Sequence, residues 1–166
     1  MTTAPTLSGN TVCLRHHAAT DIDAFWTFFQ SPRAAYVTAP QTRTHLWYGF
    51  ASETGSWSLT GMGGWAIEVD GTLAGQVAVT QPPHFPEPEL GWILFDGFEG
   101  RGIAFEAASL ALAYTRENIR PKSLVSYIDP RNNRSIALAR RLGARHDPTA
   151  RTGDAGDLVY RHEVAA

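Results

Sequence analysis

ELGWILFDGFEGRGIAFEAASLALAYTR, residues 89–116, decides how this chain is read. Leu90, Gly91, Trp92, Ile93, Leu94 and Phe95 form a short run, apolar on both faces, which predicts an interior strand. Residues 96–102 follow as a turn, where Gly97, Gly100 and Gly102 supply backbone freedom and let another group approach the main chain. Beyond it, Ile103, Ala107, Leu110 and Tyr114 recur at helical spacing, beside Ala104, Ala108 and Ala111, which are small enough for close packing. The spacing predicts a helix to about Glu117, before Pro121. Its first N–H groups lack partners inside the helix and lie at the positive end of the macrodipole. Strand, turn and helix together predict an anion site, and a phosphate there needs no side chain to hold it.

Working outward, 166 residues suit one domain spanning 1–166 with a proper core. Apolar residues make up 43% and charged residues 18%, which excludes a disordered chain. A net charge of −2 leaves no basic footprint for nucleic acid. No apolar run approaches a membrane span, and the N-terminus has neither a basic nor an apolar signal region. The one cysteine, Cys13, rules out an intramolecular disulfide, so a cytoplasmic location is expected. Cys13 has no recognisable acid–base partner and reads as a buried small side chain. His16 and His17 are adjacent and point to opposite faces of an extended chain, so one metal is not chelated by both.

In chain order, residues 11–15 predict a strand. Thr20 is the expected cap of a helix striped with Ile22, Phe25, Trp26 and Phe29. Residues 31–33 break it, and Thr42 or Thr44 starts a second helix with Leu46, Trp47 and Phe50. Residues 61–66, Gly-Met-Gly-Gly-Trp-Ala, match the G-x-G-x-x-A dinucleotide pattern only formally. Residues 65–69 and 73–79 alternate with period two around Asp70-Gly71, which makes a hairpin where a Rossmann site needs a helix. Residues 123–128 predict another strand, residues 129–133 a turn, residues 135–142 a helix closed by Gly143, and residues 157–163 a last strand.

The stretch Glu99-Gly100-Arg101-Gly102-Ile103-Ala104 resembles the acetyl-CoA pyrophosphate loop of the GNAT N-acetyltransferase superfamily, commonly Gln/Arg-x-x-Gly-x-Gly/Ala. Asn132-x-x-Ser135, with Arg141-Leu142-Gly143 after it, resembles the second half of the same cofactor site. The flanking text is closest to the RimJ/RimL branch. This resemblance implies an α/β (α+β) fold, a mostly antiparallel mixed sheet splayed between two central strands and flanked by helices. It implies acetyl-CoA as co-substrate, no metal, and direct acetyl transfer to a primary amine within a ternary complex. One departure is Glu99 in the usual Gln/Arg position, where an acidic side chain is expected to face away from the pyrophosphate.

By the same resemblance, main-chain groups of Trp92, Ile93 and Leu94 would pair with the pantetheine arm, with a N–H near Ile93 as oxyanion donor. The amides of Gly100, Arg101, Gly102, Ile103 and Ala104 would hold the pyrophosphate. Asn132 would contact the cofactor or cap its helix. Glu89 is the expected general base, with His84 a weaker alternative, and its other reading is a solvated acid at a strand start. Many members place an acid tyrosine in the helix after the Asn; here that position is Ala139. Ser135 is the hydroxyl left near the sulfur, and Tyr127 is a reserve acid. The aromatic residues between Tyr36 and Trp57 are candidates for shaping the acceptor pocket. The acceptor is a small-molecule amine or a protein N-terminus, and the aromatic content hints at a homodimer. The rival readings are a non-catalytic acyl-CoA-binding module and a nucleotide-dependent transferase; the chain has no G-x-x-x-x-G-K-S/T loop for the second.

Overall fold

The alternating residues 63–80 form the middle of the sheet. In the computed structural model, which describes residues 3–164, β1 (Leu7–Ser8) and β2 (Cys13–Arg15) lead to α1 (Ile22–Phe29) and α2 (Arg43–Thr60). The hairpin β3 (Gly63–Val69) and β4 (Thr72–Thr80) turns through Asp70 and Gly71 at φ of 49° and 74°, the primed turn that Asp-Gly favours. Then come β5 (Glu89–Leu94), α3 (Ile103–Tyr114), β6 (Val125–Ile128), α4 (Asn133–Arg141), β7 (Arg145–His146) and β8 (Leu158–Arg161).

The strands make one sheet in the order β1-β2-β3-β4-β5-β6-β8-β7. Every neighbouring pair is antiparallel except β5 and β6. Those two run parallel and share a single register pair, Glu89 opposite Val125. Past that pair their main-chain pairing stops, which is the splay that the resemblance implied.

Register assigns the faces. Thr80, Ala78 and Gln76 pair with Glu89, Gly91 and Ile93, so these six residues share one face of the sheet. Above that face lie α1 and α2, with Phe25, Phe28, Leu46 and Phe95 forming one apolar cluster and Ile93 packed against it. On the opposite face Val77, Val79 and Leu90 bury against Ile103, Ala107, Ala111 and Leu112. The alanines let α3 lie close to the sheet, as their spacing predicted.

Thr42 caps α2, its hydroxyl accepting the His45 N–H at 3.1 Å. Trp57, near the other end, donates its indole N–H to Gly64 O at 3.0 Å and packs against Trp65. Thr20 does not cap α1. It lies in a 3-10 turn (Ala19–Asp21), and the Asp21 carboxylate takes the Ala18 N–H at 2.9 Å while pairing with Arg15. A carboxylate is the stronger acceptor, and a partner on β2 fixes it there.

The regular helix α3 stops at Tyr114, short of Glu117. Thr115 is fully buried and its hydroxyl bonds back to Ala111 O at 2.7 Å, after which the chain runs through one π turn (Thr115–Ile119) to Arg120 at φ 52°. The two-residue strands β1 and β7 give no alternation to read. The C-terminal strand, β8, lies inside the sheet between β6 and β7. Cys13 is only half-buried. His17 is buried against Phe25 and Phe50, and His16 accepts the Ala4 N–H at 3.2 Å. No helix of the described residues is long and apolar enough to cross a membrane.

Candidate active site

The gap between β5 and β6 is the starting point. On one side, Phe95 donates its N–H to Ala74 O at 2.8 Å, at the end of β4 pairing. On the other, Pro88 O accepts the Val125 N–H at 3.0 Å and Leu90 O accepts the Ser126 hydroxyl at 2.6 Å. Main-chain groups alternate sides along a strand, so odd residues of β5 bond to β4 and even ones face the gap. Trp92 and Leu94 therefore direct their main-chain groups into the opening, whereas those of Ile93 face Gln76. The main-chain N–H groups near Ile93 that face the gap are those one residue to either side.

At the end of β5 the chain turns through Gly97, Gly100 and Gly102, with φ of 84°, 70° and 78°, a region that favours glycine. A Cβ added at any of the three would meet nothing within 4 Å, so the turn is open on its outer side. Gly102 opens α3 with no side-chain cap, which leaves the first amides of the helix for another acceptor. Ile103 is buried and pins the helix start. Ala104 is half-buried, and the Arg101 guanidinium lies exposed over the Phe98 ring, 5.8 Å from its centroid.

Glu99 does not simply turn to solvent. Its carboxylate is ion-paired with Arg33, whose Nε also donates to Leu94 O at 3.2 Å. Its own main-chain amide, and then Arg33, hold the carboxyl below its ordinary value. The negative charge beside the turn is thus matched in place by a cation from the segment after α1.

The far wall is the start of α4. Asn132 caps this helix, its side-chain oxygen accepting the Ser135 N–H at 3.1 Å, and Ser135 Oγ accepts the Trp92 indole N–H at 3.2 Å. That bond ties β5 to α4 across the splay. Ala139 is fully buried beside Ile128 and Tyr160, so the helix offers no phenol at that position. Tyr127 lines the cleft, but its hydroxyl oxygen is enclosed by protein, and burial first of all pushes the phenol upward.

Between these walls and α2 is a cleft of about 1000 Å³. It brings together Glu89, Trp92, Ile93, Asn132 and Ser135, while Leu94 and residues 100–104 lie beyond it, around the turn. His84 also lines it, stacked edge-on against Phe85. Of the aromatic candidates, Tyr36 and Phe50 line the cleft, Trp57 is in the core, and Trp47 and Tyr48 face outward, 56% and 61% exposed.

Glu89 sits at the last bonded pair before the splay, with its carboxyl laid over Gly91, where no side chain stands in the way. Its Oε1 accepts the Tyr127 N–H at 3.4 Å. Burial pushes the carboxyl up to about 8; the Tyr127 N–H opposes that, and the charge of Glu53 adds to it. Glu89 is half-buried and lines the cleft.

Glu53 and Gln76 escaped the sequence reading. Glu53 hangs from α2 on the same inward stripe as Leu46, Phe50 and Trp57, and Gln76 Nε2 donates to its Oε2. Burial holds the Glu53 carboxyl above its ordinary value, against the Gln76 bond. A lone acid on an apolar helical stripe was the available signal. At the mouth stand Asp154 and Asp157, and burial, then Asp154 and Asp129, raise Asp157. No Lys or Arg side chain lines the cleft among the described residues.

A family model described as "Acetyltransferase (GNAT) domain" matches residues 11–145. A solved acetyltransferase from Agrobacterium tumefaciens str. C58 is 38% identical, with 96% of this chain and 95% of that one covered and a TM-score of 0.92. A GNAT-family acetyltransferase from Bacillus anthracis shares the fold at 16% identity, 95% coverage of both chains and a TM-score of 0.71. So does RimL, a ribosomal L7/L12 alpha-N-protein acetyltransferase solved with coenzyme A, at 16% identity, 97% and 98% coverage and a TM-score of 0.77. The chain belongs to the GNAT acetyltransferase family.

Proposed function

We propose that this GNAT acetyltransferase is an N-acetyltransferase that passes the acetyl group of acetyl-CoA directly to a primary amine within a ternary complex. The observation that carries this is the position of Glu89: a half-buried carboxyl, pushed up to about 8, stands at the mouth of the splay where the open edge of β5 begins. When bound, acetyl-CoA supplies an activated acyl group as a thioester. The open main-chain edge at Trp92 and Leu94 would align the pantetheine arm, and the amides of Gly100, Arg101, Gly102, Ile103 and Ala104 would take the pyrophosphate. The N–H of Trp92 or Leu94 would meet the thioester oxygen as it gains charge. Glu89 would draw the proton from the incoming ammonium, for which a value near the working pH is well suited. Ser135, held by Trp92, would donate its hydroxyl hydrogen to the departing sulfur, while Asn132 keeps the helix capped behind it.

The acceptor side is acidic, with Glu53, Glu89, Asp129, Asp154 and Asp157 on the cleft and no cationic side chain among the described lining. That supports a cationic amine, either a small molecule or a protein N-terminus, the latter being the substrate kind named for RimL. Residues 1–166 would act as one domain in the cytoplasm. A second reading, an acyl-CoA-binding module without turnover, draws on Ala139, which removes the usual phenolic acid.

Thiol release from acetyl-CoA in the presence of an amine panel separates the two. Amine-dependent release with acetylated product supports transfer. Tight acyl-CoA binding with no release for any amine, peptide N-termini included, supports the module.

A further inference from the structure

We infer that Glu53 is a positioning residue which, with Glu89, forms a two-carboxylate seat taking the acceptor amine as its ammonium ion. This rests on the acyl-transfer reading above. The two acids come from different elements and meet over one face of the sheet. Glu53 descends from α2 to Gly64 and Glu89 rises from β5 over Gly91, and Gly64 and Gly91 both pair with Ala78 of β4, so the two carboxyls flank one row of the sheet. Gln76 Nε2 holds Glu53 Oε2, so the carboxylate plane is fixed from below, and Oε1 has no hydrogen-bond partner among the described residues. The floor beneath is kept clear by glycine. A Cβ at Gly64 would come within 3.0 Å of Gln76 Oε1 and 3.4 Å of Glu53 Oε2, and Gly91 lies under the Glu89 carboxyl.

Neither acid has an ion-pair partner among the described residues. Two half-buried carboxylates on one cleft wall without a cation are costly, and an ammonium between them lowers that cost. The other titratable groups on the cleft are Tyr36 after α1, His45 of α2, His84 before β5, Tyr127 and Asp129 at β6, and Asp154 and Asp157 before β8. Buried His17 stands behind Gln76. The surroundings are therefore acidic or neutral apart from the histidines, and an amine entering as its cation is the complementary charge. Glu89 takes one proton from the seated ammonium. The freed nitrogen forms the C–N bond as the thioester C–S bond breaks, and the second proton that nitrogen loses ends on sulfur.

The test is steady-state kinetics of wild type and Glu53→Gln, varying acetyl-CoA and the best alkylamine separately. The expected result is an amine KM raised about tenfold or more, with kcat within about threefold and the acetyl-CoA KM unchanged. Removing a negative charge beside Glu89 also makes its ionisation easier, so the acidic limb of kcat/KM moves to lower pH. An unchanged amine KM overturns the seat. So does a rise in both KM values with a lowered Tm and an unmoved limb, which is how a merely structural side chain behaves. Should the variant not fold, wild type is compared on an alkylamine and the alkoxyamine of equal length, which is neutral at pH 7. A KM about tenfold higher for the neutral compound supports the seat, and equal values overturn it. Transfer to no amine at all overturns the acyl-transfer reading itself, whereas transfer indifferent to both changes overturns the seat alone.

Discussion

The two sides of the cleft are made of different material. The side proposed for the cofactor is main chain: the even-numbered edge of β5, three glycines at positive φ and the uncapped start of α3. The side proposed for the acceptor is side chain: Glu53, Gln76 and Glu89 on one face of the sheet, with Asp154 and Asp157 at the mouth. Main chain binds any pyrophosphate that fits, so the first side suits a universal co-substrate. Side chains set charge and shape, so the second is where members of one fold diverge. The two are joined at Glu89, which begins the open edge and ends the acidic floor.

The comparison breaks first on its main-chain half. Gly102→Glu places bulk and charge on a residue at φ 78° with open space before it. Acetyl-CoA affinity is expected to fall by on the order of a thousandfold in titration, about 4 kcal/mol, with far-UV circular dichroism unchanged. Unchanged affinity in the folded variant would remove the turn from the cofactor site.

Glu89→Gln addresses the joint. Burial holds this carboxyl near 8, so kcat/KM for the amine should climb with pH through about 8 as it ionises. The variant should lose that climb and on the order of a hundredfold in rate. The stability sign is opposite. A carboxyl whose folded pKa lies above its unfolded value costs nothing below the latter and progressively more as pH rises to the former. Melting curves should therefore show E89Q more stable than wild type at about pH 8.5 and equal to it at about pH 4.

Arg33→Ala sharpens the picture at the turn, because it leaves Glu99 unmatched there. Acetyl-CoA binding should weaken about twofold to fivefold, at most about 1 kcal/mol for a partly exposed pair. The double variant with Glu99→Gln should recover it, and no recovery would mean that Arg33 acts only through Leu94. Ser135→Ala is expected to have the smallest effect, lowering kcat several-fold while acetyl-CoA affinity holds. Equal losses in both would make Ser135 a binding residue only.

How much of this was legible follows the same division. The turn could be read because glycines at 97, 100 and 102 and the alanines of α3 are backbone requirements written directly as residue types. The splay followed from the same stretch through the family resemblance. Glu89 could be placed because it adjoins that strand. Glu53 could not, since it lies on a different element and is brought toward Glu89 only by the pairing of Gly64 and Gly91 with Ala78, a non-local register. The charge match at Glu99 was hidden for the same reason, as Arg33 sits in the turn after α1. Parity along β5, which turns the main-chain groups of Trp92 and Leu94 rather than those of Ile93 toward the gap, depends on which neighbour bonds each face, and one strand alone does not say. Thr115 ended α3 early through a hydroxyl whose burial is a property of the packed core.

The central claim is that the open edge, the turn and the start of α3 form a site for coenzyme A. Calorimetric titration with acetyl-CoA, run beside CoA and ATP, tests it most directly. Saturable binding of acetyl-CoA and CoA, with ATP at least about a hundredfold weaker, is the predicted result. Equal binding of all three, or of none, would contradict it.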